Sequence, residues 1–192
     1  MASSYDDELW LLVEDERHEP PAHLATWVRG LPRVARALDL GCGDGRLTAE
    51  LRGERVTGAD PSAVAIERAR RRAPDGVWVE IAPGQALPFA DGAFELVLCA
   101  ETLEHVQDVQ SLLSEVRRVL VPGGLLALST PAHGRSTGLA VLLRGFERVF
   151  DPFSPHLRFF SARSLGAALD GLGFDVQRVR RAGGSLLATA TR

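Results

Sequence analysis

The chain predicts a doubly wound α/β fold whose seven-stranded, mostly parallel sheet ends in an antiparallel hairpin. Three observations carry this. Strand-like and helix-like segments alternate through most of the 192 residues, a pattern that implies right-handed crossovers. Continuous apolar runs such as Leu96-Val-Leu98 and Leu125-Leu-Ala-Leu128 suit parallel strands buried on both faces. The last two strand-like runs are joined only by Ala182-Gly-Gly-Ser185, a connection that allows only an antiparallel pair.

Taken in order, Val34–Leu40 reads as the first strand and Arg46–Arg52 as a short helix. Arg55–Ala59 is the second strand, Ala63–Ala73 a helix and Val77–Ile81 the third strand. Ala82–Asp91 is a loop punctuated by Pro and Gly. Phe94–Cys99 is the fourth strand, Val109–Leu120 a helix broken by Pro122-Gly-Gly124, and Leu125–Thr130 the fifth strand. A helix opened by Ser161 stops at Gly171 and Gly173, and Phe174–Arg180 and Leu186–Thr191 form the closing hairpin. Residues 1–33 read as one or two helices. Residues 131–160 are an insertion with a helical stretch, Gly138–Phe150, and the aromatic side chains Phe146, Phe150, Phe153, Phe159 and Phe160. The whole, 1–192, is expected to be one domain.

Composition narrows the function classes. Hydrophobic content of 45% and charged content of 24% are those of a globular protein, and no window is apolar for long enough to predict a membrane span. The acidic start, without a basic leader, and two cysteines that form no disulfide framework predict a cytoplasmic location. A net charge of −3 argues against general attraction for nucleic acid. All 22 basic residues are arginines, so no lysine serves as base or Schiff-base nucleophile. Arg68, Arg70, Arg71 and Arg72 are expected on a solvated helix face. A second cluster is Arg178, Arg180 and Arg181.

The most telling stretch is Ala37–Leu51, ALDLGCGDGRLTAEL. A strand ends in Gly41, Gly43 and Gly45 and feeds a helix-like segment, which lays bare backbone N–H groups beside a ligand. After Gly41 and Gly43 the sixth position is Arg46, where a dinucleotide fingerprint needs Gly or Ala. The bend therefore suits an adenosine without a phosphate chain. Asp60 ends the second strand and is placed to accept both hydroxyls of a ribose. Asp60-Pro61-Ser62 also reads as a helix start, so Asp60 could instead act as an N-cap.

In these residues the chain resembles the class I S-adenosylmethionine-dependent methyltransferases. The resemblance extends to Cys99-Ala-Glu-Thr-Leu-Glu-His-Val106 followed by Asp108, which is similar to the ubiquinone-biosynthesis O-methyltransferases, and to Arg117-Arg-Val-Leu-Val-Pro-Gly-Gly-Leu-Leu126. It covers residues 34–130 well and 156–190 loosely. It implies S-adenosylmethionine as cofactor, a Rossmann-like sheet with the last strand between the fifth and sixth, and a lid over the cofactor from residues 1–33. Cofactor contacts fall by that likeness on Asp39, Gly41, Cys42, Gly43, Gly45, Asp60, Pro61, Ser62, Gln85, Ala86 and Cys99. Asp39 is expected near the methionine ammonium; as structure alone it could instead tie the glycine bend together. Pro83 stands where many relatives place an acid for the adenine, which leaves adenine recognition to Gln85, to the Ala86 backbone or to water.

Glu101, Glu104 and His105 fall at i, i+3 and i+4, so one helical turn would put them on one face. Two carboxylates and an imidazole there could hold a divalent cation. The same spacing, completed by a distant histidine, resembles the metal site of the small-RNA 3′-end ribose methyltransferases. That histidine would be His156, with His133 the alternative, and Mg²⁺ the cation. Two mechanisms follow: a cation on Glu101, Glu104, His105 and His156 that lowers a hydroxyl pKa, or a metal-free general base at His105 or His156, with Glu101 in the catalytic set. A third possibility is that the acids and imidazole only stabilise the turn. The phenylalanines of the insertion either floor an acceptor pocket or seal a small core.

The expected activity is methylation of a small-molecule acceptor, on a hydroxyl oxygen of a phenolic or quinone-like compound. The rivals are ribose 2′-O-methylation at RNA ends and a non-catalytic cofactor-binding subunit. The sequence specifies neither the acceptor nor the oligomeric state.

Overall fold

The computed structural model describes residues 5–12, 19–150 and 154–192. Its centre is a seven-stranded sheet in the order β3-β2-β1-β4-β5-β7-β6. The strands are β1 (Val34–Leu40), β2 (Gly53–Asp60), β3 (Val77–Glu80), β4 (Phe94–Ala100), β5 (Leu120–Pro131), β6 (Asp175–Ala182) and β7 (Ser185–Thr191). The first five pair in parallel. β7 runs antiparallel to β5 and to β6, and so lies between them. Because β1 is flanked by β2 on one side and β4 on the other, the chain leaves it in opposite directions and opens a crevice at the strands' carboxyl ends.

The helices are α1 (Tyr5–Leu12), α2 (Ala22–Arg29), α3 (Ala63–Arg72), α4 (Val109–Val119), α5 (Arg135–Arg144), α6 (Phe146–Val149) and α7 (Ala162–Gly171). Local chemistry fixes their starts. The Ser62 side chain accepts from the Ala65 N–H at the head of α3. Asp108 does the same for Ser111 at α4, and Ser161 with Ser164 makes a capping box at α7. Each such cap satisfies an amide that the helix leaves without a partner.

Alternate residues of the strands face opposite sides. Leu38, Leu40, Val97, Cys99, Leu126 and Leu128 pack under Leu113 and Val116 of α4 and Leu165 and Leu169 of α7. On the other face Val28 of α2 and Leu31 cover Ala37, Leu96, Leu98 and Ala127.

Three elements depart from the sequence reading. The helix expected over Arg46–Arg52 is a single 3₁₀ turn, Thr48–Glu50. The chain is already extended at Leu51 (ψ 137°) and enters β2 at Gly53, which leaves no room for a full α-helix. β5 begins five residues early, at Leu120, and absorbs Pro122-Gly-Gly124 through a register shift against β4. The helical stretch of the insertion is two pieces, broken at Gly145 with φ +86°.

Leu98 is fully buried at the centre of the sheet. Leu98→Ala is expected to cost about 2–5 kcal/mol through lost burial and a residual cavity. Urea denaturation measures it, and a loss below about 1 kcal/mol would contradict this packing.

Candidate active site

The glycine bend folds as the sequence demands. Gly41, Gly43 and Gly45 have φ of +74°, +54° and +81°, a region that only glycine adopts freely. Space is equally restrictive: a β-carbon on Gly41 would overlap Thr102, and one on Gly45 would overlap the Trp78 ring. The Gly41 and Cys42 amides donate to the Ala59 carbonyl at 2.8 and 3.1 Å, tying the bend to the end of β2.

Asp60 holds this arrangement from inside. Its carboxylate accepts from the Gly43 amide at 2.8 Å on one oxygen and from the Ser62 amide at 2.9 Å on the other. It is not the N-cap of α3; that role falls to Ser62. Burial pushes its pKa up to about 6, against the two amides, and the carboxylates of Asp6 and Asp7 push the same way. Asp39, one strand over, is also buried and accepts the Thr48 hydroxyl at 2.6 Å. Burial, then the neighbouring Asp60 charge, raises its pKa to about 7, against the Thr48 bond.

Of the residues expected among the cofactor contacts, one lies elsewhere and another keeps only its backbone there. Cys99 has no exposed surface and packs in the core between the sheet and α4, because its position on β4 points to that face. The Cys42 side chain turns towards Gly58 of β2, leaving only its backbone on the bend. Burial raises both thiol pKa values well above the ordinary range. Pro61 and Ser62 follow Asp60 at the head of α3. Gln85 and Ala86 lie on the exposed loop after β3. That loop is anchored by Glu115 and Arg118 of α4: Glu115 accepts the Leu87 amide, and Arg118 donates to the Leu87 and Phe89 carbonyls.

The arginine cluster is more than a solvated face. Arg72 reaches the buried Asp44 carboxylate at 3.0 Å, and Arg46 meets the same oxygen at 2.6 Å. Asp44 thereby braces the bend by charge, a pairing across 28 residues that no local pattern announces. Arg68 lies over the Trp10 ring.

The described part of the N-terminal segment divides. Helix α1 sits on the bend: Trp10 lies where a Gly43 side chain would go, and Asp7 accepts from the Ser62 hydroxyl and the Val64 amide. Helix α2 covers the sheet face instead, so the expected lid over residues 1–33 does not extend to it.

At the carboxyl end of β4, the expected single face of Glu101, Glu104 and His105 does not form. Glu101 adopts φ +50°, and the 3₁₀ turn Leu103–His105 starts only after Thr102. Glu101 therefore turns to the Ser129 hydroxyl at 2.7 Å. Glu104 turns inward, 1% exposed, and accepts the Thr130 hydroxyl at 2.9 Å. Burial and the Glu101 charge raise its pKa to about 7, against its hydrogen bonds.

His156 joins from the insertion. The Leu157 and Arg158 amides donate to the Glu104 carbonyl, and the His105 and His156 rings meet edge to face at 4.9 Å. One ligand-type atom each from Glu104, His105 and His156 lies within 4.8 Å of the others; Glu101 stands outside that group. His105 Nδ1 lies 3.1 Å from the Pro155 carbonyl, an acceptor that places the ring proton on Nδ1 and leaves Nε2 as the basic nitrogen. Burial lowers the His105 pKa, partly offset by the Pro155 carbonyl, and His156 lowers it further.

Beside this cluster lies a cavity of about 510 Å³, lined in part by His133, Thr137, Phe150, His156 and Phe159. Phe150 and Phe159 stack at 4.4 Å, so these rings wall a cavity as well as packing on one another. Phe153 lies outside the described residues. His133 does not reach the cluster of Glu104, His105 and His156. Its ring packs on Phe150 and Phe159, with both nitrogens buried and without a hydrogen-bond partner among the described residues. No helix among the described residues is long and apolar enough to cross a membrane.

Comparison with known proteins agrees with the fold and the bend. The methyltransferase domain family matches residues 38–128. A Synechocystis protein known only as an uncharacterized methyltransferase is 34% identical over 170 residues, 82% of this chain and 75% of that one. A malonyl-[acyl-carrier protein] O-methyltransferase of Enterobacter lignolyticus is 35% identical over 143 residues, 73% of this chain; the match spans only 55% of that protein's length. Among solved structures, an S-adenosylmethionine-dependent methyltransferase from Mesorhizobium loti superposes with a TM-score of 0.67 at 24% identity, covering 88% of this chain and 98% of that one. The chain belongs to the class I S-adenosylmethionine-dependent methyltransferases, and its fold supports that sulfonium as the cofactor.

Proposed function

We propose that the protein transfers the methyl group of S-adenosylmethionine to a hydroxyl oxygen of a small, largely apolar acceptor held in the cavity beside His156. The observation that carries this reading is the meeting of a basic imidazole nitrogen on His105 with that cavity's wall at His156. The malonyl-carrier relative, an O-methyltransferase by name, supports transfer to oxygen.

The backbone of Gly41, Cys42, Gly43 and Gly45 would hold the cofactor. Each Asp60 oxygen spends one lone pair on an amide and keeps another for a ribose hydroxyl. Asp39, buried with a single hydroxyl donor, offers its other oxygen to the methionine ammonium. Pro61 and Ser62 border the ribose, and Gln85 and the Ala86 backbone edge the adenine.

In the transfer the acceptor oxygen donates a lone pair to the methyl carbon. The bound sulfonium would supply the methyl group and would leave as a neutral thioether, keeping the electrons of the broken carbon–sulfur bond. The hydroxyl proton passes to His105 Nε2, while the Pro155 carbonyl holds Nδ1–H and fixes the tautomer. His156 packs on the base and orients it.

A second reading is favoured by one observation, the convergence of Glu104, His105 and His156. Two imidazoles and one carboxylate do not fit Mg²⁺, which takes oxygen ligands. They suit a borderline ion such as Zn²⁺, which would bring Lewis-acid chemistry to a bound hydroxyl.

Four outcomes are expected. Asp60→Asn should weaken S-adenosylmethionine binding by about 1.5–3 kcal/mol, the worth of hydrogen bonds to a charged acceptor. Wild-type affinity, read by calorimetry, should fall as pH drops through about 6, because protonation of Asp60 removes acceptor capacity. The Asn variant should lose the part of that dependence centred near 6 and keep the part that Asp39 adds near 7, and wild-type affinity in it would refute the ribose contact. His105→Gln should lower kcat by about 10²–10⁴ while cofactor affinity holds; unchanged turnover removes His105 as base. A chelator should leave methyl transfer intact under the metal-free reading, whereas loss restored by Zn²⁺ replaces it with the second.

A further inference from the structure

We propose that Glu115 and Arg118 of α4 are positioning residues through which the loop after β3 tells adenine from other bases. The inference rests on the cofactor seat proposed above and is independent of the acceptor.

Between Ile81 and Leu87 the chain makes an exposed arch, residues 82–86, that carries Gln85 and Ala86. The Gln85 amide closes a turn on the Ala82 carbonyl at 3.3 Å, and Gly84 has φ +71°. A β-carbon on Gly84 would meet no atom within 4 Å, so nothing packs over that point of the arch. Its position is set at its two feet. At the first, the Ile81 amide donates to the Asp60 carbonyl at 3.1 Å, which ties the arch to the residue assigned to the ribose. At the second, the Leu87 backbone is gripped on both sides. Its amide donates to Glu115 Oε2 at 2.7 Å, and its carbonyl accepts from Arg118 Nη2 at 3.0 Å.

Arg118 is committed wholly to this region. A guanidinium has five N–H donors, and here all are taken. Nε and Nη2 donate to the two Glu115 oxygens, Nη2 also to Leu87, and Nη1 to the Phe89 carbonyl and the Asp91 carboxylate, at 2.7–3.0 Å. The Arg118 main-chain carbonyl accepts the Gly92 amide at 3.0 Å. Side chain and main chain together fasten residues 87–92 to the end of α4. Pairing lowers the Glu115 pKa and raises that of Arg118, so both stay charged at neutral pH.

This grip matters because of what the arch lacks. Pro83 offers no carboxylate to the amino group of the base, so reading falls on Gln85 and the Ala86 backbone, one peptide from the gripped Leu87. Groups that must meet a base edge discriminate only if they are held in place before it arrives. With one foot on Asp60 and the other on α4, the arch keeps a fixed distance from the ribose acid. Release of the second foot leaves the sugar contact in place and lets the base contact drift.

Calorimetry with S-adenosylhomocysteine and its inosine analogue, in which a carbonyl replaces the amino group of the base, reads this contact. The whole chain should favour the adenine compound by about tenfold or more, the worth of one or two hydrogen bonds. Glu115→Ala and Arg118→Ala should each reduce that preference to about threefold or less, by weakening the adenine compound more than the other. Glu115→Gln retains an oxygen for the Leu87 amide and should keep most of the preference. Arg118→Lys has three donors where five are used and should lose it; this pair keeps the test informative if an alanine variant fails to fold. No base preference in the wild type, or an undiminished one in the Arg118 variants, overturns the proposal. So does an equal loss of both compounds, since the pair would then serve the fold alone. Asp60→Asn should weaken both compounds alike, because they share the ribose. Wild-type affinity in that variant sinks the cofactor seat and this inference with it. A weakened Asp60→Asn beside unchanged base preference in the Arg118 variants sinks this inference alone.

Discussion

The carboxylate of Asp60 is the interaction on which the site depends. It binds the amides of Gly43 and Ser62 at once, so one buried charge fixes the bend after β1 against the start of α3. It adds a buried charge to the amide bonds that Gly41 and Cys42 make with the Ala59 carbonyl. The link is charge-assisted and shielded from solvent, which makes it strong. It also leaves the carboxylate short of full solvation, as its raised pKa records.

The same economy recurs along the carboxyl edge of the sheet. Asp39, Asp60 and Glu104 are all buried, and each has a pKa raised first of all by burial. Their folded-state pKa values lie above those of the unfolded chain, so folding takes up protons. The linkage therefore runs against stability as pH rises from about 4 towards 7, through the windows of the three groups. Acids held in this way cluster where a ligand completes their solvation. Asp44, by contrast, is neutralised within the protein by Arg46 and Arg72.

Legibility in the sequence followed the range of the interactions. The glycine bend, the acid after β2 and the alternation of elements are local patterns, and every strand except β5 agrees with its expected bounds to within two residues. Gly41, Gly43 and Gly45 were readable because positive φ leaves glycine little competition. What escaped depends on distant partners. The bracing of Asp44 by Arg72, the anchoring of the loop after β3 by Arg118, and the core position of Cys99 follow from packing. The expected face of Glu101, Glu104 and His105 assumed a regular helical turn after β4. The left-handed conformation of Glu101 breaks that period, and no local pattern announces it. His156, by contrast, came within reach of His105 as the sequence reading had it.

The arginines of β6 acquire a meaning from the sheet order. Among the described residues β6 is an outer strand, paired only with β7, and a bare strand edge is a template for aggregation. Arg178, Arg180 and Arg181 lie along eight residues of that edge. Two such molecules meeting edge to edge would bring like charges together before any backbone pairing formed. The opposite edge, β3, has only four residues, too short a rail for another chain to zip onto. The molecule thus protects one rim by repulsion and the other by brevity.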